Sequence, residues 1–131
     1  MVFVDTSAWF ALFVPSDPRH EDVVRWVDAR EDEFVTTDYC VDETLTLLVA
    51  RRRRKLALEV GQVLFNESLA RLLFLSPAQI QKAWILFQQR SNAGWSFTDC
   101  TSAVMMTDMK IGKALALDDH FREFANAEIV P

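Results

Sequence analysis

Short, almost wholly apolar segments alternate along this chain with longer segments whose apolar residues recur at helical spacing. The apolar segments occupy 2–4, 34–37, 72–75 and 114–117. Strands without a polar face need cover on both sides, which is the usual condition of a parallel sheet. The alternation therefore predicts an α/β fold with a central parallel sheet of four to five strands and helices on both faces. The EIV segment at 128–130 is expected to be a short strand at one edge.

The intervening segments predict the helices from their apolar stripes and capping residues. The first helix is expected to begin near Ala8 and to end at Pro15. The other helices are expected at 18–31, 38–53, 56–69, 77–90, 96–110 and 119–125. The expected N-terminal caps are Thr6 or Ser7, Asp38, Ser76 and Ser96. The spacing of Ser96 and Asp99 is typical of a capping box.

The composition is that of an ordinary globular protein, with 50% hydrophobic and 25% charged residues among 131. This length predicts one domain over 1–131. The net charge of −5 argues against a protein that coats nucleic acid nonspecifically, but it does not exclude a nucleic-acid enzyme whose acids gather in one cleft. No apolar run approaches the roughly 20 residues that cross a bilayer. We therefore expect no membrane span and a cytoplasmic location.

Acidic residues stand where the predicted strands end and where the following helices begin. Asp5 follows the first strand, and Asp118 and Asp119 follow the fourth. Asp99 opens a helix, and Glu43 lies near the start of another. In a parallel α/β sheet these positions share the carboxyl edge, where ligands bind. Four separate segments are therefore expected to bring acids to one edge of the sheet.

Each of these acids, taken alone, is explained by helix capping or by the helix dipole. Their convergence is more informative, because two like charges ~4 Å apart repel by about 4 kcal/mol at an effective dielectric near 20. No neighbouring Lys or Arg is an obvious counter-charge. A divalent cation would offset the repulsion, and oxygen ligands favour Mg²⁺ or Mn²⁺ over zinc.

Four stretches carry a resemblance to a known family: VDTSA at 4–8, TTDYCVDETLTLL at 36–48, SFTDC at 96–100 and LALDDHF at 115–121. In this order and spacing they resemble the PIN-domain family, and within it the VapC-like toxin ribonucleases of toxin–antitoxin pairs. The resemblance covers nearly the whole chain. It implies a PIN-like nuclease domain that cleaves RNA phosphodiester bonds with Mg²⁺ or Mn²⁺.

The resemblance also implies roles for individual residues. The implied catalytic and metal-binding acids are Asp5, Glu43, Asp99 and Asp118, and the implied supporting residues are Thr6, Ser7, Thr98 and Asp119. Asp119 is an alternative to Asp118, and Asp42 is an alternative to Glu43. His120 is expected to cap or pack rather than to act as a general base. The implied partners are an RNA substrate, a second copy in a homodimer, and an antitoxin whose peptide fills the groove near the acids.

The basic run ARRRRK at 50–55 has two interpretations. The favoured one is a solvated helix end, where cations complement the dipole. The alternative is contact with the RNA backbone through Arg51, Arg52, Arg53 and Arg54.

Other functional classes fit the acids less well. A phosphoacceptor signalling domain needs an acid pair after the first strand and a lysine after a late one. A phosphatase with an Asp-x-Asp motif needs an acid where Ser7 stands. An RNA-processing PIN nuclease without an antitoxin and a catalytically silent PIN-like binding module remain as alternatives within the family.

Overall fold

The computed structural model describes residues 1–123 and 127–131. Five strands form one sheet in the order β3-β2-β1-β4-β5, and every pairing is parallel. The strands are β1 (Val2–Val4), β2 (Phe34–Thr37), β3 (Arg71–Leu73), β4 (Lys113–Leu115) and β5 (Glu128–Val130). The predicted parallel α/β sheet is confirmed, and the EIV segment is its fifth strand, at an edge.

Six α-helices connect the strands. They are α1 (Thr6–Phe13), α2 (His20–Ala29), α3 (Asp38–Ala50), α4 (Arg54–Phe65), α5 (Pro77–Gln89) and α6 (Phe97–Asp108). A 3₁₀-helix spans Asp119–Glu123. It replaces the helix expected over 119–125, whose last two residues lie outside the described residues.

The helix predicted to continue to Arg53 ends earlier. The α3 helix stops at Ala50, and α4 begins at Arg54. Arg52 has a φ of 61°, a left-handed conformation that no α-helix continues through. The basic run therefore turns the chain between two helices, instead of extending the end of one.

The fourth strand also ends earlier than expected, at Leu115 instead of 117. Its pairing partner β1 stops at Val4, which is aligned with Leu115. The backbone N–H of Asp5 still donates to the Leu115 carbonyl oxygen, at 3.0 Å. Asp118 consequently follows β4 after a two-residue extension, and the third strand is similarly shifted to 71–73.

The central strand divides the core into two halves, one on each face of the sheet. Val2 and Val4 pack with residues of α1, α2, α3 and α4 on one face. Phe3 points to the other face, where it packs with residues of α6 and with Phe121 of the 3₁₀-helix. This alternation is the period-two geometry of a strand. Helices therefore cover both faces, as the apolar strands predicted.

The strand order places a switch point between β1 and β4. The chain adds β2 and β3 on one side of β1, and then crosses to add β4 and β5 on the other side. In open parallel sheets a crevice forms beyond the carboxyl ends of the strands at such a point. Asp5 directly follows one of these two strands, and Asp118 lies close behind the other. Within the described ranges, no helix combines the length and the apolar character needed to span a membrane.

Candidate active site

A cleft of about 280 Å³ opens at this switch point. Its lining includes the four acids Asp5, Glu43, Asp99 and Asp118. Thr6, Ser7, Ser96 and His120 also line it. The four acids that the sequence singled out are therefore neighbours in one cleft, contributed by four separate segments.

Asp5 is the N-terminal cap of α1. Its Oδ2 accepts hydrogen bonds from the Ser7 backbone N–H at 3.1 Å and from the Ser7 hydroxyl at 2.7 Å. Only 3% of Asp5 is exposed. The expectation that Thr6 or Ser7 caps this helix is therefore wrong: the acid that ends the strand performs the capping itself.

Ser7 connects the two central strands at their carboxyl ends. While its hydroxyl donates to Asp5, its Oγ accepts a 2.9 Å hydrogen bond from the Leu117 backbone N–H. This arrangement holds the extension after β4 against the start of α1. Ser7 thus supports Asp5 directly and fixes the segment that carries Asp118.

Burial strongly perturbs the ionisation of Asp5. Removal from water raises the pKa of Asp5 from 3.8 to about 7, although the two hydrogen bonds from Ser7 act in the opposite direction. The nearby charges of Asp99 and Glu43 raise this pKa further. A carboxylate at this position is therefore electrostatically costly without a nearby positive charge.

Asp99 is held by the predicted capping box at the start of α6, which is confirmed. Its Oδ2 accepts from the Ser96 backbone N–H at 2.9 Å, and its own N–H donates to the Ser96 hydroxyl at 3.0 Å. The same Oδ2 lies 3.0 Å from Nδ1 of His120. Asp99 is 5% exposed, so its carboxylate faces the cleft from a fixed position.

His120 brings Asp99 and Asp118 together. Its Nδ1 lies 3.2 Å from Oδ1 of Asp118, and its backbone N–H donates to the same oxygen at 3.0 Å. Donor atoms of Asp99, Asp118 and His120 all lie within 4.8 Å of one another. His120 was expected to cap or pack, and the structure additionally places its ring in the cleft between two acids. Its position two residues after Asp118 in DDHF was the available signal.

The environment of His120 favours its charged form. Partial desolvation lowers its pKa, but the hydrogen bond to Asp99 and the charges of Asp118, Asp99 and Glu123 outweigh that effect. The net result is a pKa raised above 6.5. When His120 is protonated, its imidazolium contributes positive charge beside Asp99 and Asp118.

Glu43 enters the cleft from α3. It is half-buried, whereas the neighbouring Asp42 is exposed. Thr6 holds α1 against this helix, because its Oγ1 lies 3.4 Å from the Cys40 carbonyl oxygen. Thr37, and not Asp38 as expected, caps α3 by accepting from the Cys40 backbone N–H at 3.1 Å.

Several predicted supporting residues lie elsewhere. The Asp119 side chain is 92% exposed and pairs with Arg122 at 3.5 Å. In the described part of the chain, Thr98 and the arginines at 51–54 are not among the residues that line the acidic cleft. The carbonyl oxygen of Thr98 accepts from the Thr101 hydroxyl at 2.7 Å.

The donor set fits a hard divalent cation. Four carboxylate side chains and one imidazole line the cleft, and the donor atoms of Asp99, Asp118 and His120 are the ones that lie within 4.8 Å of one another among the described residues. Such ligands suit Mg²⁺ and Mn²⁺, and they lack the thiolates that select softer metals. The raised pKa of Asp5 is the corresponding electrostatic observation, because a bound cation would stabilise its charged form.

Comparison with known proteins gives consistent matches. The PIN domain family model matches residues 2–127. The 23S rRNA-specific endonuclease VapC20 of Mycobacterium tuberculosis is 28% identical over 131 residues, which cover 100% of this chain and 99% of the relative. A VapC ribonuclease of Archaeoglobus fulgidus is 29% identical over 124 residues, which cover 90% of this chain and 77% of the relative.

Solved structures agree. The crystal structure of Mycobacterium tuberculosis VapC20, described as a Sarcin-Ricin loop cleaving toxin, has a TM-score of 0.92 at 27% identity and covers 100% of both chains. The structure of FitAcB from Neisseria gonorrhoeae has a TM-score of 0.69 at 16% identity, with coverage of 100% of this chain and 97% of that one. The latter similarity concerns the fold alone.

Proposed function

Because this chain belongs to the PIN domain family, as its motifs predicted, we propose that it is a ribonuclease dependent on Mg²⁺ or Mn²⁺. We further propose that residues 1–131 act as one nuclease domain that hydrolyses RNA phosphodiester bonds. The similarity to an rRNA-specific endonuclease and to a VapC ribonuclease supports RNA as the substrate class.

The convergence of four acids on one cleft is the observation that carries this proposal. Asp5 and Asp99 are almost fully buried there, and the pKa of Asp5 is raised to about 7. Although Asp5 and Asp99 each cap a helix, gathering four carboxylates in one cleft costs free energy through their mutual repulsion, and costly groups of this kind concentrate at functional sites. A cation bound by Asp5, Glu43, Asp99 and Asp118 would offset the repulsion between these carboxylates and would explain why they lie together.

The more buried and the less buried acids would have different roles in the reaction. Asp5 and Asp99, each fixed by hydrogen bonds within its own helix start, would hold the cation in a defined position. Glu43 and Asp118, which are less buried, would complete the set of ligands and would also orient a water molecule as hydrogen-bond acceptors. When bound, Mg²⁺ or Mn²⁺ supplies Lewis-acid activation of that water and stabilises charge on the leaving oxygen.

His120 would act through the acids. Its ring lies within hydrogen-bonding distance of Asp99 and Asp118, so it fixes the separation of their carboxylates. In its charged form it also reduces the repulsion between them before a metal arrives. We therefore assign it a positioning role, and the acids retain the contacts to metal and water.

We also propose that the protein is the toxin of a type II toxin–antitoxin pair, neutralised by an antitoxin segment that fills the acidic cleft. The descriptions of its relatives as VapC proteins and as a toxin support this. A homodimer is part of the same proposal. The exposed apolar residues Phe74, Trp84 and Ile85, which are 66%, 49% and 55% exposed, are available for it. A cytoplasmic location is part of the same proposal, because RNA is the proposed substrate.

The test of the nuclease is cleavage of single-stranded RNA by purified protein with Mn²⁺, with EDTA, and with the variants Asp5→Asn and Asp99→Asn. We expect cleavage only by the wild type with metal. Asp119→Asn is the matched control and should cleave normally. Cleavage that persists in EDTA, or in both site variants, would contradict the proposal.

The toxin assignment needs a separate experiment. Expression of the wild type should arrest growth, and co-expression of an antitoxin, sought as a small reading frame beside the gene, should restore it. Asp5→Asn should be harmless in the same assay. A chain that cleaves RNA with metal but leaves growth unaffected would instead be an RNA-processing nuclease.

A further inference from the structure

A line of residues on two helices leads away from the acidic cleft. Thr6 of α1 and Glu43 of α3 line the cleft, and Leu47 of α3 lines it one turn further on. Continuing by one helical turn on each helix leads to Phe10 on α1 and to Arg51 at the end of α3. Residues four apart lie on one helix face. The two helices therefore present adjoining stripes that run from the acids to the basic run.

A second cleft, of about 290 Å³, lies at the far end of these stripes. Its lining includes Phe10 together with Arg51 and Arg53. The Arg51 guanidinium carbon lies 5.9 Å from the centre of the half-buried Phe10 ring. Arg53 donates a 3.2 Å hydrogen bond to the Ser16 hydroxyl, a neutral partner.

The arginines of the basic run are not equivalent. Arg51 and Arg53 line this second cleft, whereas Arg52 and Arg54 are not among its lining residues in the described part of the chain. Over residues 1–123 and 127–131, no carboxylate lies within 4.0 Å of the Arg51 or Arg53 guanidinium. Two cations therefore lie on one side of the turn without an ion-pair partner within 4.0 Å among the described residues. Asp17 also lines this cleft, and its Oδ1 accepts a 2.8 Å hydrogen bond from the Arg19 backbone N–H.

We propose that Phe10, Arg51 and Arg53 form a subsite for one nucleotide of the RNA, remote from the bond that is cut. This inference rests on the proposed ribonuclease function. The arginines would bind phosphate, and the exposed part of the Phe10 ring would stack on a base, as aromatic residues do in single-stranded RNA binding.

The spacing suits a continuous strand. Arg51, the C-terminal cap of α3, lies eight positions after Glu43, which is about 12 Å along the helix axis. A short single-stranded segment whose scissile phosphate lies at the acids would reach the second cleft along the two stripes. Within the described part of the chain the two clefts share no lining residue, but one RNA strand that follows the two stripes would occupy both.

Charge complementarity supports the same occupant. The protein carries a net charge of −5, and four of its acids surround the proposed cutting site. RNA is therefore repelled by the protein as a whole and attracted by the basic run, where counterion release favours binding. An acidic protein segment would satisfy the arginines equally well but would not need an aromatic surface between them and the acids.

The experiment compares two double variants that each remove two charges from the same run: R51Q/R53Q and, as matched control, R52Q/R54Q. Affinity for a fluorescent single-stranded RNA oligonucleotide is measured by anisotropy in EDTA at 50 and 200 mM salt. R51Q/R53Q should weaken binding by about 10-fold or more and reduce the slope of log affinity against log salt by ~1.4, which corresponds to two lost contacts. The control should remain within about twofold of the wild type.

Two further variants separate charge from stacking. Phe10→Leu keeps an apolar side chain but removes the ring, so it should weaken binding with little change in the salt slope. R51K/R53K keeps both charges and should retain the slope. Thermal unfolding monitored by circular dichroism verifies that each variant is folded.

Equal losses of RNA affinity in both double variants would mean that the basic run attracts RNA only through its overall positive charge, and this result would overturn the subsite. Unchanged RNA affinity in R51Q/R53Q would also overturn it. Unaltered RNA binding combined with weaker binding of an acidic peptide by R51Q/R53Q would assign the cleft to a protein partner and also overturn it. These measurements contain no metal and no cleavage. A wild type that binds RNA through Arg51 and Arg53 but never cuts it would therefore contradict the proposed function and not the subsite.

Discussion

Nδ1 of His120 lies 3.0 Å from Oδ2 of Asp99, although 21 positions separate the two residues in the chain. The same nitrogen is 3.2 Å from Asp118. A single ring thus links the acid at the start of α6 to the acid that follows β4. The charge state of this ring should report on what else occupies the cleft.

We predict that Mg²⁺ lowers the pKa of His120. Without metal this pKa is raised above 6.5, so the stabilising contribution of His120 is complete below pH 6.5 and is lost as the pH rises through the raised value. A cation bound to Asp99 and Asp118 would compete with His120 for the same oxygens, so the carboxylates would no longer stabilise the protonated ring. Titration of the imidazole resonances by NMR, with and without Mg²⁺, measures the change.

His20 is the internal control for this titration. Its Nδ1 lies 2.7 Å from the Ala11 carbonyl oxygen, and His20 is not among the residues that line the acidic cleft in the described part of the chain. Its resonances should not respond to Mg²⁺. A His120 titration curve identical with and without the ion would mean that Asp99 and Asp118 do not bind it.

Replacement of Asp5 by Asn should stabilise the metal-free protein at neutral pH. The folded-state pKa of about 7 exceeds the ordinary 3.8, so the contribution of Asp5 to folding is complete below pH 4 and is lost between roughly pH 4 and 7. At about 1.4 kcal/mol per pKa unit, the difference between the proteins should reach a few kcal/mol at pH 8. Urea unfolding in EDTA at pH 4, 6 and 8 measures it.

Addition of Mg²⁺ provides the control for the Asp5 prediction. The ion should raise the free energy of unfolding of the wild type at pH 8 much more than that of Asp5→Asn, because binding to the folded state alone stabilises it. Wild type and variant with the same pH dependence in EDTA would mean that Asp5 is not strained in the fold.

In each of two pairs of neighbouring acids, neutralising one member should reduce cleavage much more than neutralising the other. Asp118→Asn should reduce cleavage more than ~100-fold, since even residues that only support metal ligands typically contribute 10- to 100-fold. Asp119→Asn should have little effect, because that side chain is 92% exposed. Glu43→Gln and Asp42→Asn form the second pair, with the loss expected for Glu43. Single-turnover cleavage in Mn²⁺ compares all four, and equal losses within a pair would contradict the assignment.

Ser7→Ala should weaken both the site and the fold. The substitution removes the hydrogen bond to Asp5 and leaves the Leu117 N–H without its acceptor, at a cost of about 1–3 kcal/mol in unfolding free energy. Because Ser7 only positions a ligand, we expect the apparent Mn²⁺ affinity to fall about 10-fold or more while activity persists at saturating metal. Activity is measured across a range of Mn²⁺ concentrations. Saturating Mn²⁺ should restore the activity if only metal affinity is reduced, whereas it should not restore the activity if the substitution damages the fold.

The sequence predicted the order of the elements, the parallel sheet and its edge strand. Apolar strands and capping residues carry these signals locally, and the fold follows from them through general rules of α/β topology. It also predicted which acids reach the carboxyl edge. The acids at this edge include Asp5, Asp99 and Asp118. They lie there because strand ends and the starts of the following helices share the carboxyl edge of a parallel sheet.

The sequence could not predict features that depend on competition between neighbouring groups. Asp5, Thr6 and Ser7 can all cap a helix, and the choice falls to Asp5 because its N–H is held by the Leu115 carbonyl oxygen at the end of the sheet. Thr37 likewise takes the capping role expected of Asp38. The break between α3 and α4 depends on the left-handed conformation of Arg52, a residue type that does not signal it.

The position of His120 in the cleft depends on contacts between distant segments. Its ring meets Asp99 only after β4 has paired with β1, because that pairing brings the 3₁₀-helix beside the start of α6. The DDHF pattern places His120 close to Asp118 in the chain, but it contains no information about the contact with Asp99.

The strand order also has a consequence for synthesis on the ribosome. The hydrogen bond between Ser7 and Leu117 spans 110 residues, and β1 receives its β4 neighbour only after β2, β3 and all six α-helices of the described residues have been made. Contacts of such long range form late, since much of the chain must be ordered first. A nascent chain that does not yet include residues 113–121 therefore contains Asp5, Glu43 and Asp99 but lacks Asp118 and His120 of the cleft. An enzyme that attacks RNA would in this way remain incomplete until that segment has been made.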